Sequence, residues 1–148
     1  MRLDEVMTHN VVSADASASL REVGALMRDQ NVGSVVITEG ERAVAVITDR
    51  DLALAVVADG VDPGDHVAAH ASRPLVMGDL QMELEEAAAL MVQHKIRRLP
   101  IRDGEALAGI VTIDDLAVRA GDLQLAQQMT AEVAKQAIPE FFFHQRGG

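Results

Sequence analysis

Two short spacings carry the chemistry this chain could perform: Thr48-x-x-Asp51 and Thr112-x-x-Asp115. Each falls where an apolar, strand-like run hands over to a helical pattern. A helix N-terminus leaves free N–H donors and carries a partial positive charge, which makes it a seat for phosphate. A threonine hydroxyl there can donate to a phosphate oxygen, and an aspartate carboxylate can accept from both hydroxyls of a ribose. The same spacing is also that of a capping box, with Thr at the N-cap and an acidic side chain three residues on. Helix initiation and nucleotide binding therefore compete as explanations.

The elements that must position these residues are themselves duplicated. Residues 11–52 overlay 75–116 at an offset of 64 with no gap, and 13 of the 42 positions are identical. Val12/Val76, Asp15/Asp79, Leu20/Leu84, Met27/Met91, Gly40/Gly104, Thr48/Thr112 and Asp51/Asp115 are among them. One fold unit is built twice. In each copy a short apolar stretch (Val11-Val12, Leu75-Val76) precedes a polar turn and a helical pattern, the first opened by a Ser19/Glu22 capping-box spacing. Two strands follow: Val32–Ile37 and Ala43–Thr48 around Glu39-Gly40, then Ile96–Ile101 and Ala106–Thr112 around Asp103-Gly104. A glycine turn between apolar runs predicts a hairpin. The unit is β-α-β-β-α and the class α+β.

A turn-rich stretch, residues 57–71, joins the copies, and Leu123–Ile138 has a helical pattern that Pro139 ends. The expected division is 1–60 for the first repeat with its N-terminal segment, 61–121 for the second repeat with the linker, and 122–148 for a C-terminal helix and tail. One copy alone has a small core. Two copies packed with approximate two-fold symmetry would bury each other's apolar sheet faces and leave clefts of the kind ligands use.

Composition narrows the function classes. A hydrophobic share of 49% supplies a core, and with aromatics at 2% that core must be aliphatic. The formal net charge of −10 argues against a non-specific nucleic-acid partner and against an anionic membrane surface, both of which need basic surface. There is no cysteine, so thiolate chemistry and disulfides are excluded. Met1–Asn10 lacks the apolar core of a signal peptide, and the apolar runs are too short to span a bilayer, so the expected compartment is cytoplasmic.

The doubled pattern resembles a tandem pair of CBS domains, the module named after cystathionine β-synthase. The second copy carries Lys95-Ile96-Arg97-Arg98-Leu99-Pro100-Ile101 and Gly109-Ile110-Val111-Thr112-Ile113-Asp114-Asp115-Leu116; the first carries Asn31–Ile37 and Ala45–Leu52. The similarity covers roughly residues 5–121. It implies a CBS pair with pseudo-two-fold symmetry, usually paired again as a homodimer. It also implies a regulatory ligand that contains adenosine: AMP, ADP, ATP, S-adenosylmethionine or an NAD-type molecule. On that resemblance Thr48, Asp51, Thr112 and Asp115 hold phosphate and ribose, and Arg97 and Arg98 match a basic pair that reaches phosphates, suited to it by guanidinium geometry. The first copy has Gly33 and Ser34 there, with Arg50 as a substitute from the helix start. Val12 and Val76 are candidates for the adenine wall. Two departures bear on the sites: Ala45 stands where the second copy has Gly109, and Asp49 and Asp114 add negative charge beside the phosphate seats.

No catalytic constellation is present: there is no Gly-x-Ser-x-Gly, Walker-type loop or His-Glu metal helix. The reading is a non-enzyme with no required cofactor, acting in trans on a protein partner of unknown identity, or else a ligand-free dimerisation module. His66 and His70 are four apart, but without a third ligand pattern they read as solvated linker and no metal is expected. Met27 and Met91 read as packing residues. Phe141-Phe142-Phe143 need cover, either from their own module or from a second chain. Gly147-Gly148 reads as a loose end.

Overall fold

The two copies of the sequence pattern become two three-stranded sheets with the same connectivity. The computed structural model describes residues 2–72, 75–119 and 121–133. The chain divides into two units.

The unit built on the first repeat comprises Asn10–Leu75 and Gly104–Leu107. Its sheet has the order β1 (Ser13–Asp15), β2 (Ser34–Glu39), β3 (Arg42–Thr48), with β1 parallel to β2 and β2 antiparallel to β3. Helix α1 (Leu20–Gln30) supplies the parallel crossover. It starts at the anticipated capping box: Ser19 Oγ accepts from the Glu22 N–H, and the Glu22 carboxylate accepts from the Ser19 N–H. Its apolar stripe, Leu20, Val23 and Met27, is buried against Val35, Ile37, Ala45 and Ile47 of the sheet. After β3 comes α2 (Asp49–Leu52), which continues as a π-helical turn over Ala53–Ala58.

The unit built on the second repeat comprises Met1–His9, Val76–Asp103 and the chain from Ala108 onward. Strands β4 (Gly78–Asp79), β5 (Arg98–Asp103) and β6 (Ala106–Thr112) repeat the order, and α3 (Leu84–Gln93) and α4 (Ile113–Val118) repeat the helices. Residues 123–133 form a further helix. Its Ala126 and Met129 join a core with Leu84, Met91, Leu99, Ile101 and Leu116.

The first strand of each hairpin begins two residues later than the apolar runs suggest. Val32 donates to the Met27 carbonyl and Ile96 to that of Met91, so these residues still close the preceding helix. The helix exits turn at Asn31 (φ 54°) and Lys95 (φ 58°), equivalent positions in the left-handed region.

The segment before each repeat packs with the other repeat, a grouping that differs from the division expected at residues 60/61. Leu3–Val6 forms one helical turn in the second-repeat unit, with Arg2 bridging Glu83 and Thr8 bridging Ile110. At the same offset of 64, His66 bridges Ser19 and Ser72 bridges Val46 within the first-repeat unit, around the 3-10 turn Val67–Ala69. Leu3 and Val67, equivalent residues, are both fully buried. Residues 1–10 and 65–74 share no identity, which hid this extension of the repeat.

Candidate ligand-binding site

Thr48 and Thr112 are the N-caps of α2 and α4, as the spacing predicts. Both capping boxes are closed. Thr48 Oγ1 accepts from the Asp51 N–H at 3.2 Å, and Asp51 Oδ2 accepts from the Thr48 N–H at 2.9 Å. Thr112 and Asp115 repeat the pair at 3.1 and 2.9 Å. One carboxylate oxygen of each aspartate is thus committed to helix initiation, and one remains for other partners. Asp115 Oδ1 lies 3.6 Å from Arg119 Nε, while Arg119 also donates to the Met7 carbonyl at 2.8 Å.

The surroundings of the two helix starts differ. In the second repeat Arg97, Arg98, Thr112, Ile113, Asp114 and Thr130 line a cavity of about 230 Å³. The Ile113 N–H donates to the Arg97 carbonyl, tying the start of β5 to the start of α4. Both arginines are exposed, and neither forms an ion pair with a carboxylate among the described residues. Two guanidinium groups beside a helix start make a cavity suited to phosphate oxygens. Asp114 on the same wall opposes a fully charged phosphate and offers an acceptor to hydroxyls.

In the first repeat the equivalent backbone bond is kept, Asp49 N–H to the Gly33 carbonyl at 3.0 Å. Here, though, Asp49 Oδ1 accepts from the Arg50 N–H at 2.9 Å, and Oδ2 lies 3.2 Å from where a Gly33 Cβ would stand. A carboxylate of the chain itself occupies one of the donors that a bound anion would use. Arg50 is exposed at this point.

Of the residues expected at the sites, the structure brings Arg97, Arg98 and Thr112 to one cavity. Asp115 and Val76 are not on its described lining. Val12 and Val76 are half-buried and pack on the cores of their own units. Thr130 and Ile113 were missed. Thr130 lies outside the repeat, so no internal comparison could have found it; Ile113 sits inside the motif but carries no polar group.

Gly109 has a role other than ligand approach. A Cβ there would stand 2.6 Å from Met7 Sδ and 2.8 Å from the Thr8 carbonyl oxygen, so the glycine admits the N-terminal segment against β6. Among the described residues no group of three or more His, Asp or Glu converges on a metal position, and His70 Nε2 sits 3.7 Å from Asp65 Oδ2. No described helix is long and apolar enough to cross a membrane.

Two β-α-β-β-α units, each with a Thr-capped helix after its hairpin, define the class as a tandem-repeat α+β module. The sequence pattern of the CBS domain matches residues 3–58 and 67–121, and the chain belongs to the CBS-domain family. It is similar to the CBS domain-containing protein YhcV of Bacillus subtilis, with 37% identity over 134 residues, 90% of this chain and 96% of that protein. Among solved structures it resembles the CBS domain protein PAE2072 from Pyrobaculum aerophilum complexed with AMP. The TM-score is 0.73 and the identity 30%, covering 86% of this chain and 99% of that one. A crystal structure of Hypoxic Response Protein I with two coordinated zinc ions has a TM-score of 0.73 at 26% identity, covering 79% of this chain and 97% of that one. Hypoxic response protein 1 from Mycobacterium tuberculosis is 26% identical over 136 residues, 90% of this chain and 95% of its own length.

Proposed function

We propose that this CBS pair binds an adenosine-containing ligand through its second repeat and passes the occupancy to a protein partner in trans. The observation that carries this reading is the cavity where Arg97, Arg98 and Thr112 meet at the start of α4. The AMP complex of the similar PAE2072 supports the ligand class. AMP, ADP, ATP, S-adenosylmethionine and NAD-type molecules share the needed parts: an anionic or polar tail for the arginines and a ribose diol. Asp115 accepts from that diol with the oxygen its capping bond leaves over, and Val76 flanks the base. The same roles at Thr48, Arg50, Asp51 and Val12 are weaker, because Asp49 already fills the helix start of the first repeat.

In this reading the protein binds and reports; it does not catalyse. Signalling follows if the ligand favours one of two arrangements of the protein over the other. A homodimer is the proposed reporting state, in keeping with the apolar side chains of Leu54 and Val118, equivalent residues that are 46% and 81% exposed.

A thermal-shift titration with AMP, ADP, ATP, S-adenosylmethionine, NAD and NADH tests the proposal. Ligand at a hundredfold over its Kd adds about 2.7 kcal/mol, enough to raise the midpoint by several degrees. Arg97→Ala and Arg98→Ala should each weaken that ligand about tenfold or more with the free protein's midpoint unchanged. If none of the compounds shifts the midpoint, the second reading holds, a ligand-free dimerisation module. The closed capping boxes favour that alternative, because they give both Thr-x-x-Asp motifs a structural task without a ligand.

A further inference from the structure

An apolar groove of about 420 Å³ runs between α3 and the helix at 123–133, away from the arginine cavity. Ala88, Ala89 and Val92 form one wall, and Leu125 and Met129 the other, with Gln93, Gln128 and Glu132 at the rims. The small side chains of Ala88 and Ala89 leave the groove open where a larger residue on α3 would have filled it. An apolar cavity of roughly 150 Å³ takes one benzene ring, so this volume has room for two phenyl groups.

We propose that the groove is the docking site of the chain's own Phe141-Phe142-Phe143. These three residues are all of the protein's aromatic side chains and lie outside the described residues. The described part of the helix ends at residue 133, next to Glu132 at the groove's rim. Pro139 cannot continue a helix, so the chain has a stop six residues further on. Seven residues lie between Val133 and Phe141. Even partly extended they reach back along the helix, since an extended residue spans about 3.3 Å and a helical one rises about 1.5 Å. In an extended run alternate side chains share a face, so Phe141 and Phe143 enter together while Phe142 turns outward. Large rings from the tail thus meet small residues on α3.

Docking here would clamp the helix at 123–133 from one face while its Thr130 lines the arginine cavity from another. The surface is assigned from its shape and chemistry and does not depend on the ligand reading.

Methyl-labelled NMR on the full chain tests the assignment. With no Trp or Tyr present, ring-current shifts of the Ala88, Ala89, Val92, Leu125 and Met129 methyls report on these phenylalanines. We expect those methyls to show upfield shifts that vanish in the Phe141→Ala/Phe143→Ala variant and persist in Phe142→Ala, with the Ile37 and Ile47 methyls unmoved as a fold control. The wild-type protein should also give NOEs from phenyl protons to the groove methyls, a readout that stands if the double variant fails to fold. Absence of these NOEs overturns the proposal. So does their appearance solely between chains in a sample mixing methyl-labelled protein with unlabelled protein, which would make a second copy the occupant.

Discussion

At the helix that follows the hairpin, the second repeat presents Arg97, Arg98 and Ile113 where the first presents Gly33, Ser34 and Asp49. The backbone is the same in both, down to the capping box and the bond from the first helical N–H to the residue just ahead of the first hairpin strand. The side chains reverse the electrostatics. One helix start faces two cations across a cavity; the other is neutralised by its own carboxylate. Duplication therefore kept the folding solution and let the chemistry around it diverge, because capping is set by Thr and Asp alone while anion binding needs the residues around them.

The largest expected effect lies where the repeats differ in packing. Gly109→Ala pushes a methyl into Met7 and the Thr8 carbonyl and should cost about 1–3 kcal/mol. The first repeat already carries that methyl at the fully buried Ala45, so Ala45→Gly should cost only about 0.5–1 kcal/mol. Urea denaturation compares the two; a neutral Gly109→Ala would mean that the N-terminal segment does not seat on β6.

The capping boxes come next. Asp51→Ala and Asp115→Ala should each lose about 1 kcal/mol of stability. Asp115→Ala should lose slightly more, since Arg119 loses a partner that the first repeat, with Ala55 in that place, never had. Equal losses would show that the Arg119 contact contributes nothing. On the proposed function Asp115→Ala also abolishes binding of the adenosine ligand; unchanged affinity would leave capping as the whole role of that residue.

A smaller effect sharpens the comparison at Gly33. Gly33→Ala crowds the Asp49 carboxylate, and the crowding should disappear in an Asp49→Ala background, with a coupling of about 0.5–1 kcal/mol in a double-mutant cycle. Additive losses would mean that Asp49 does not lie over Gly33 in solution.

The smallest concerns an identical pair with different partners. Asp79 binds Arg102 at 2.8 Å, whereas Asp15 accepts from the Ser17 hydroxyl and N–H. The Ser17 hydroxyl, then its N–H, hold the Asp15 carboxyl below the ordinary carboxylate range. A lowered folded-state pKa means that this contribution is complete above the ordinary value and is lost as pH falls through the folded value. Ser17→Ala should move the Asp15 NMR titration midpoint upward, and an unmoved midpoint would remove the hydroxyl from the account.

Much of the fold was legible because its signals are local. The offset of 64, the Ser19/Glu22 cap, both hairpin turns and both Thr-x-x-Asp helix starts depend on residues within a few positions of one another. The CBS family followed from the same residues. Strand starts were misplaced by two because Val32 and Ile96 are apolar in either role, and only the hydrogen bonds to Met27 and Met91 assign them to the helix exits.

By itself the sequence determined the duplicated β-α-β-β-α unit, the caps and the concentration of positive charge at Arg97-Arg98. Tertiary structure decided which segment completes which unit, why Gly109 must be a glycine, that Thr130 lines the arginine cavity, and that Asp49 fills the helix start of the first repeat. Those outcomes rest on contacts between residues far apart in the chain or on the direction a side chain takes, and neither leaves a periodicity or a spacing to read.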